Sequence, residues 1–527
     1  MLPIRKFLSA VGLLNIVRTE FKKIIPPNQL SVQNTGISFV DCLMSAFAMF
    51  GLKYPSLLQF DRHHRLDPQV RHNLQSLYGI EQIPCDTTMR ERLDEGDPST
   101  LRKAYKRLFA FLQRGKALES YRYLNGRYLL AGDGTGFFAS QKVHCNQCCV
   151  KHAYKVHVKI CKNWFNLESF VEQRSYILEN PISFSFRLHF VDTDKKLVTI
   201  PLNELPELTN ILHGKKTKKD LSKEDLQAIK DVIVSYHYAK FCDNDKNTYY
   251  HNMYCAAIVH PDQKVVIPIM PEPIIKEDGE RKNDCERNAS KRLYQDFKRE
   301  HPHLKVIVVE DCLASNFPHL DELKRLGMQF IIGAKPGDHG ALFQWVDTQE
   351  CRNYEHITKD GVTHRYRYIN DAPLNKSHSE FKVNFIEYWE KNKAGNERHW
   401  CWVTDILINN DNIYDIMRGG RSNWKIENPI FNTLKNLNYY FTHNFGHGYK
   451  SLSTIMATVM MLAFFVDQIQ ELCCNVFQQA LKKRESKIGL WAKMKSLFSE
   501  HFINNWDDLF NAIIYGHAYK TLIPNTT

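Results

Sequence analysis

The sequence predicts a mixed α/β fold: a five-stranded mixed sheet flanked by helices, with further helical regions at both ends of the chain. Three observations carry that expectation. Apolar residues recur at three- and four-residue steps over residues 1–120 and again after Arg418, which is the spacing of amphipathic helices. Short apolar runs at Tyr128–Ala131, Val306–Val309 and Phe330–Ile332 have the length and setting of buried strands. The central segments follow in the order strand, strand, strand, helix, strand, helix, strand, which calls for a mixed sheet and not a doubly wound one.

In the N-terminal region, residues 1–120, helix faces are marked by Leu43, Phe47, Phe50 and Leu52 and then by Leu101, Tyr105, Leu108 and Leu112. Pro26-Pro27 divides the first helix from the rest. The core follows over 121–340. Its first strand runs from Tyr128 into Asp133-Gly134-Thr135-Gly136. Tyr249–Val259 and Val265–Met270 flank His260-Pro261-Asp262-Gln263, good turn chemistry for a hairpin. A helix over Cys285–Glu300 places Ala289, Leu293 and Phe297 on one face. The strand Val306–Val309 ends at Glu310-Asp311, and the helix Pro318–Leu326 has Asn316 as its cap and Gly327 as its stop.

Two insertions interrupt this core. Residues 150–245 lack clear periodicity and carry the basic run Lys215, Lys216, Lys218 and Lys219. Residues 341–418 read as strand-rich, with strands over His364–Ile369, Phe381–Trp389 and Trp400–Leu407. Residues 419–450 return to the core as a helix, and 451–527 form a helical C-terminal region.

Composition narrows the class. A chain of 527 residues exceeds one ordinary hydrophobic core, and 43% hydrophobic with 24% charged residues excludes wholesale disorder. The formal charge of +12, from 70 basic and 58 acidic residues, favours a polyanionic partner, because each Lys or Arg set against a phosphate releases counterions. The most apolar stretch, Ile455–Val466, is shorter than the ~20 residues of a bilayer-spanning helix, and Asp467 closes it. Near the start, Arg5 and Lys6 precede the apolar run Phe7–Val17, but no small-x-small cleavage pattern follows, and Asn15, Arg18 and Glu20 fit an amphipathic helix. A cytoplasmic protein is expected. Its 14 cysteines then argue for buried thiols or metal ligands over a disulfide framework.

Asp133 and Asp311 stand at the C-terminal ends of two apolar strands, the edge at which open α/β sheets bind ligands. Two carboxylates brought together there repel unless a cation lies between them, and hard ions such as Mg²⁺ take such oxygen ligands. A pair of ions about 3.5–4 Å apart activates a water or 3′-hydroxyl and stabilises the leaving oxygen of a phosphodiester. A third carboxylate completes such a site. The alternative for each Asp taken singly is ordinary turn chemistry.

The surrounding segments favour the metal site. Asp133-Gly134-Thr135-Gly136, then Glu310-Asp311-Cys312-Leu313-Ala314-Ser315-Asn316, then Arg421-Ser422-Asn423-Trp424-Lys425-Ile426-Glu427-Asn428 resemble, in order, the three catalytic segments of DDE-type insertion-sequence transposases with an RNase H-like core. Phe431-Asn432-Thr433-Leu434-Lys435-Asn436 and His443-Asn444-Phe445-Gly446-His447-Gly448 resemble that family's C-terminal stretch. The resemblance runs from about Leu43 to Asp467 without much of 155–245. It implies a catalytic triad of Asp133, Asp311 and Glu427 holding two Mg²⁺ ions, for which Mn²⁺ substitutes. It also implies strand cleavage and transfer at terminal inverted repeats, by a homodimer on double-stranded DNA. An inactive DNA-binding relative and a nuclease that never joins strands are the alternatives.

The chain departs from the Tyr-Arg-Glu-Lys signature of some relatives. Where they carry an Arg four residues before the Glu and a Lys seven after it, this chain has Asn423 and Leu434, with Arg421 and Lys435 displaced nearby. On an ideal helix Lys435 lies ~80° from Glu427, and Arg421 falls on a different face. Arg421 and Lys435 are the candidate phosphate contacts. Pro429 either bends the helix that carries Glu427 or starts a new one capped by Asn428.

Among lesser signals, Cys145 and Cys148 have C-x-x-C spacing, half of a structural zinc site. Cys285 is the expected third ligand, with His251 or Cys255 as a fourth; buried structural thiols are the alternative. Trp389, Trp400 and Trp402 lie near Arg365, Arg367 and Lys382. Trp402 is the candidate for stacking on an unpaired base, against the alternative that these aromatics fill a small sheet. The Lys215–Lys219 run reads as a solvated loop or a DNA contact. His443 and His447 receive no ligand role.

Overall fold

The computed structural model describes residues 3–25, 36–152, 247–276, 284–358 and 361–516, isolated stretches between 155 and 231, and residues 523–524. The chain forms two compact units. The larger comprises Met1–Phe138, Cys145–Gln147 and His251–Thr527, and the smaller Ala139–His144 and Cys148–Tyr250.

The larger unit opens with helices α1 (Ala10–Phe21), α2 (Phe39–Gly51), α3 (Leu57–Leu66), α4 (Pro68–Tyr78), α5 (Asp86–Asp94) and α6 (Arg102–Arg114). Their ends carry local signals. Ser38 and Ser56 accept from the Asp41 and Gln59 amides at the starts of α2 and α3, each satisfying an orphan N–H. Pro68 stands in the first turn of α4, and Gly79 ends it at φ +65°, a conformation glycine adopts without Cβ strain.

Strand β1 (Tyr128–Ser140) then leaves the larger unit. In the smaller one follow β2 (Cys149–His152), β3 (Lys155–Val156), β4 (Val158–Ile160), β5 (Asn163–Phe165), β6 (Ile177–Glu179), β7 (Arg187–Val191) and β8 (Leu197–Pro201). β3, β6 and β8 pair with β7, and β4 with β5, all antiparallel. Strands this short show no periodicity, so the sequence of 150–245 reads as featureless. The Lys215, Lys216, Lys218 and Lys219 run lies outside the described residues.

β9 (Asn247–Val259) pairs with β2 at its start and returns the chain to the larger unit. There follow β10 (Ile267–Pro268), β11 (Glu272–Ile274), α7 (Glu286–Glu300), β12 (Val306–Glu310), α8 (Phe317–Arg325) and β13 (Gln329–Gly333). The sheet runs β10-β9-β1-β12-β13, with β1, β12 and β13 parallel and β10 antiparallel to β9. These are the five strands the sequence predicts. β12 is buried at all five positions, as an apolar run covered on both faces must be.

The sheet does not stop there. After α9 (Gly340–Asp347), strands β14 (Arg352–Ile357), β15 (Thr363–Pro373), β16 (Lys382–Lys391) and β17 (Glu397–Thr404) form an antiparallel meander. β17 pairs with β13, so the insertion continues the same sheet in the order β13-β17-β16-β15-β14. The expected five strands are therefore only part of it, because the meander satisfies the backbone edge that β13 would otherwise expose.

The chain then enters α10 (Ile413–Arg421), a widened π-helical turn over Ile426–Asn432, and α11 (Thr433–Asn436). The C-terminal helices are α12 (Leu452–Cys473), α13 (Asn475–Arg484), α14 (Lys487–Glu500) and α15 (Trp506–Tyr515). At 22 residues α12 is longer than its most apolar stretch and is long and apolar enough to cross a bilayer. It is nevertheless a core helix: Leu452 through Val466 are all buried, against α2, α5 and β10. The buried Lys53 after α2 donates to Asp467 of α12 at 2.7 Å, and its ammonium lies 4.0 Å over the Tyr439 ring. The two helical ends of the chain and the sheet fall in the same compact unit.

Candidate active site

The site is built where the pairing of β1 with β12 ends; β1 itself runs on past Asp133 to Ser140, so this Asp does not close its strand as the sequence suggests. The last registered pair is Ala131 with Val309, and Asp133 and Asp311 each stand two residues further on. Asp133 is still within β1 and Asp311 directly follows β12, so the two parallel strands bring both acids to one edge of their ladder. Asp133 Oδ1 accepts from the Gly134 amide at 2.7 Å, and Asp311 Oδ1 accepts from the Leu313 amide at 2.9 Å, capping the short turn Cys312–Ala314. The glycines around Asp133 are required by space. A Cβ on Gly132 would collide with the Tyr254 and Tyr294 hydroxyls, and one on Gly134 with the Glu286 carboxylate.

Electrostatics bring four acids into one neighbourhood. Burial pushes the Asp133 carboxyl up to about 7; the Gly134 amide opposes this, and the charges of Asp311, Glu286 and Glu427 add to it. Glu286, in the first turn of α7, is itself raised by burial and then by Asp311. Sequence reasoning missed Glu286, because a Glu opening a helix is ordinary dipole chemistry. Glu427 is exposed and sits in the widened turn Ile426–Asn432, with Pro429 inside it. Pro429 thus lies inside the helical path that carries Glu427, and no new helix capped by Asn428 begins there. A π-type turn absorbs the missing N–H without ending the helical path.

Two groups fix Asp311 from behind. Asn423, standing where relatives carry an Arg, turns its amide nitrogen to the Val309 carbonyl at 3.2 Å and accepts from the Asp311 N–H at 3.3 Å. It ties the end of α10 to the end of β12 and carries no charge toward a phosphate. The neighbouring Glu310 points into the core, where it accepts from Tyr254, from Tyr294 at 2.8 Å and from His319 Nε2 at 2.6 Å. Burial pushes Glu310 up, but the His319 imidazolium and the hydroxyls outweigh it and hold the carboxyl below its usual value.

The expected nucleic-acid contacts fare differently. Trp402 is only 4% exposed and lies against Gly420, where a Cβ would strike its indole. It fills the space between α10 and the sheet and cannot stack on a base. The Arg421 guanidinium pairs with Glu390 at 2.6 Å and lies 4.5 Å over Trp400, so its charge is already engaged. Lys435 is exposed. A cation missed in the sequence, Lys335 just beyond β13, is fully exposed; its ammonium is raised by a hydrogen bond and charge from Cys312, and by the charge of Asp311.

Among the described residues, one Cys/His group has ligand geometry in the larger unit. The ligand atoms of Cys145, His251 and His447 lie within 4.8 Å of one another. Cys285 is not in this group: it is an exposed residue at the N-terminus of α7, and the places next to Cys145 belong to His251 of β9 and His447. A second group, Glu387, His399 and Cys401, is an ion-pair cluster, since Arg367 donates to Glu387 at 2.7 Å. No protein-family model matches this chain, and no curated protein matches it.

Proposed function

We propose that the chain is a DDE-type transposase that cuts and joins DNA strands at the ends of an insertion sequence, with Asp133, Asp311 and Glu427 as its metal-holding triad. The observation that carries this reading is the meeting of carboxylates from three distant segments: Asp133 and Asp311 each lie two residues past the last pair of adjacent parallel strands, and the charges of Asp311 and Glu427 both act on Asp133. The mixed core β10-β9-β1-β12-β13 with its flanking helices fits the RNase H-like sheet implied by the motifs.

The residues present suit hard divalent cations. Three acids near the half-buried Asp133 carboxyl call for positive charge, and all four offer oxygen donors. Bound between Asp133, Asp311 and Glu427, two Mg²⁺ ions would supply activation of the attacking hydroxyl and neutralisation of the leaving oxygen. The chain's own part is placement. The amides of Gly134 and Leu313 orient the two aspartates, Asn423 anchors the Asp311 backbone, and Lys335 and Lys435 offer exposed cations to the DNA strands.

The test uses the purified full chain, Mg²⁺ and duplexes made from the DNA flanking its reading frame. Nicking at a defined position followed by joining of the new 3′ end to a target plasmid is the expected result. Hydrolysis without joining would identify a nuclease, binding without cleavage an inactive relative, and neither binding nor cleavage would overturn the reading.

A further inference from the structure

We propose that Cys145, His251 and His447 hold a structural zinc ion. Three buried side chains from three separate segments converge here: the loop after β1, strand β9 and the turn before α12. Cys145 Sγ lies 3.3 Å from His251 Nε2. A sulfur about 2.3 Å and a nitrogen about 2.0–2.1 Å from one ion, at a tetrahedral angle, stand about 3.5 Å apart. The Cys–His contact therefore already has the length of one edge of a zinc tetrahedron. A thiolate with two imidazoles selects zinc over the hard cations that suit the carboxylate site.

The ligands are also held as a metal site requires. The His251 and His447 rings lie 5.0 Å apart, and Phe138 covers His447 at 4.2 Å. Asn146, next to Cys145, donates its amide to the Tyr449 carbonyl at 3.4 Å, and the Gln147 side chain meets Thr454 at 3.3 Å. On the other side the Asp94 carboxylate accepts from the Tyr449, Lys450 and Leu452 amides at 2.8, 2.9 and 3.0 Å. Gly448, at φ +64°, leaves room for that carboxylate, which a Cβ would strike. His447 is thus presented by a turn whose backbone is pinned, as supporting shells pin ligands elsewhere. The ion would fasten the strand that carries Asp133 to the turn that follows the Glu427 segment. This inference does not depend on the chain cutting DNA.

The test is the metal content of the full chain purified without chelator from zinc-supplemented medium. One zinc per chain is expected, retained through dialysis against Mg²⁺. Cys145→Ser and His447→Ala should each lower it well below one, His447→Cys should keep it, and Cys285→Ser should leave it at one. Should the depleted variants fail to fold, X-ray absorption of the wild-type protein decides. Sulfur near ~2.3 Å together with two nitrogens near ~2.0–2.1 Å from zinc supports the site. Wild-type protein without zinc, zinc ligated by oxygen alone, or zinc unaffected by Cys145→Ser and His447→Ala in folded protein overturns it.

Discussion

Asp133 and Asp311 each stand two residues past Ala131 and Val309, the last registered pair of two parallel strands. Asp133 is still within β1, and Asp311 is the residue directly after β12. Burial, with the charge of Asp311 added to it, is why the half-buried Asp133 holds its proton up to about 7.

Cation binding at Asp133 must therefore compete with a proton. Below about 7 the metal-free carboxyl is protonated, so affinity for a divalent ion should fall about tenfold per pH unit there if one proton is displaced. The sign for stability is opposite. A raised folded value means the native state keeps a proton that the unfolded chain has lost, so the metal-free protein loses stability as pH rises from ~3.9 toward about 7. Mn²⁺ titrations followed by electron paramagnetic resonance between about pH 5 and 8 check the first statement. A flat affinity across that range would remove Asp133 from the ligand set.

Replacing Asp311 by Asn keeps shape and removes charge. Cleavage in Mg²⁺ should fall by at least ~10²–10³-fold, the size of losing one group that stabilises transition-state charge. Affinity for the same duplex should stay level or rise slightly, since a bare carboxylate repels phosphates. Lys335→Ala and Lys435→Ala should instead weaken binding on any sequence and make its salt dependence shallower by about one unit of slope each. Gel shifts at several salt concentrations separate the two patterns, and a cleaving Asp311→Asn protein would reduce Asp311 to a turn cap.

Glu286 is the acid that spacing alone does not reveal. Its charge raises Asp133, so Glu286→Gln should move the midpoint of the cation-affinity profile to lower pH. Cleavage should drop by about 10–100-fold, as when an outer partner of a metal ligand is lost. The same pH profile, measured on wild type and variant, checks this, and coincident midpoints would place Glu286 outside the site.

What could be read in advance followed from local pattern. Asp133 and Asp311 stand out because each closes an apolar run, and Glu427 because its neighbours match a motif. Glu286, Lys335 and His447 gain their roles from segments distant in the chain, which no local window contains. Trp402 shows the same limit from the other side: strand alternation does not say which face α10 will cover, and that decides whether an indole is a base platform or core.

The pair Glu310 and His319 offers the last test, because it lies directly behind Asp311. Both side chains are buried and joined at 2.6 Å. Burial lowers the imidazole's affinity for a proton, yet the Glu310 charge overrides it and raises His319 above its usual value. The stability it contributes is complete below the unfolded value of ~6.5 and is lost as pH rises through the raised folded value. Glu310, held low, contributes above ~4.3 and loses its part as pH falls through its folded value. The pair should therefore stabilise most between those limits. His319→Ala leaves a buried carboxylate with only the Tyr254 and Tyr294 hydroxyls and should cost about 3–5 kcal/mol in that window. His319→Gln, which restores a donor without a charge, should recover part of it and flatten the alkaline limb of the profile. Urea unfolding midpoints of the three proteins across pH measure this directly. If wild type and His319→Gln share one alkaline limb, His319 is neutral in the fold, and Glu310 is held by its tyrosines alone.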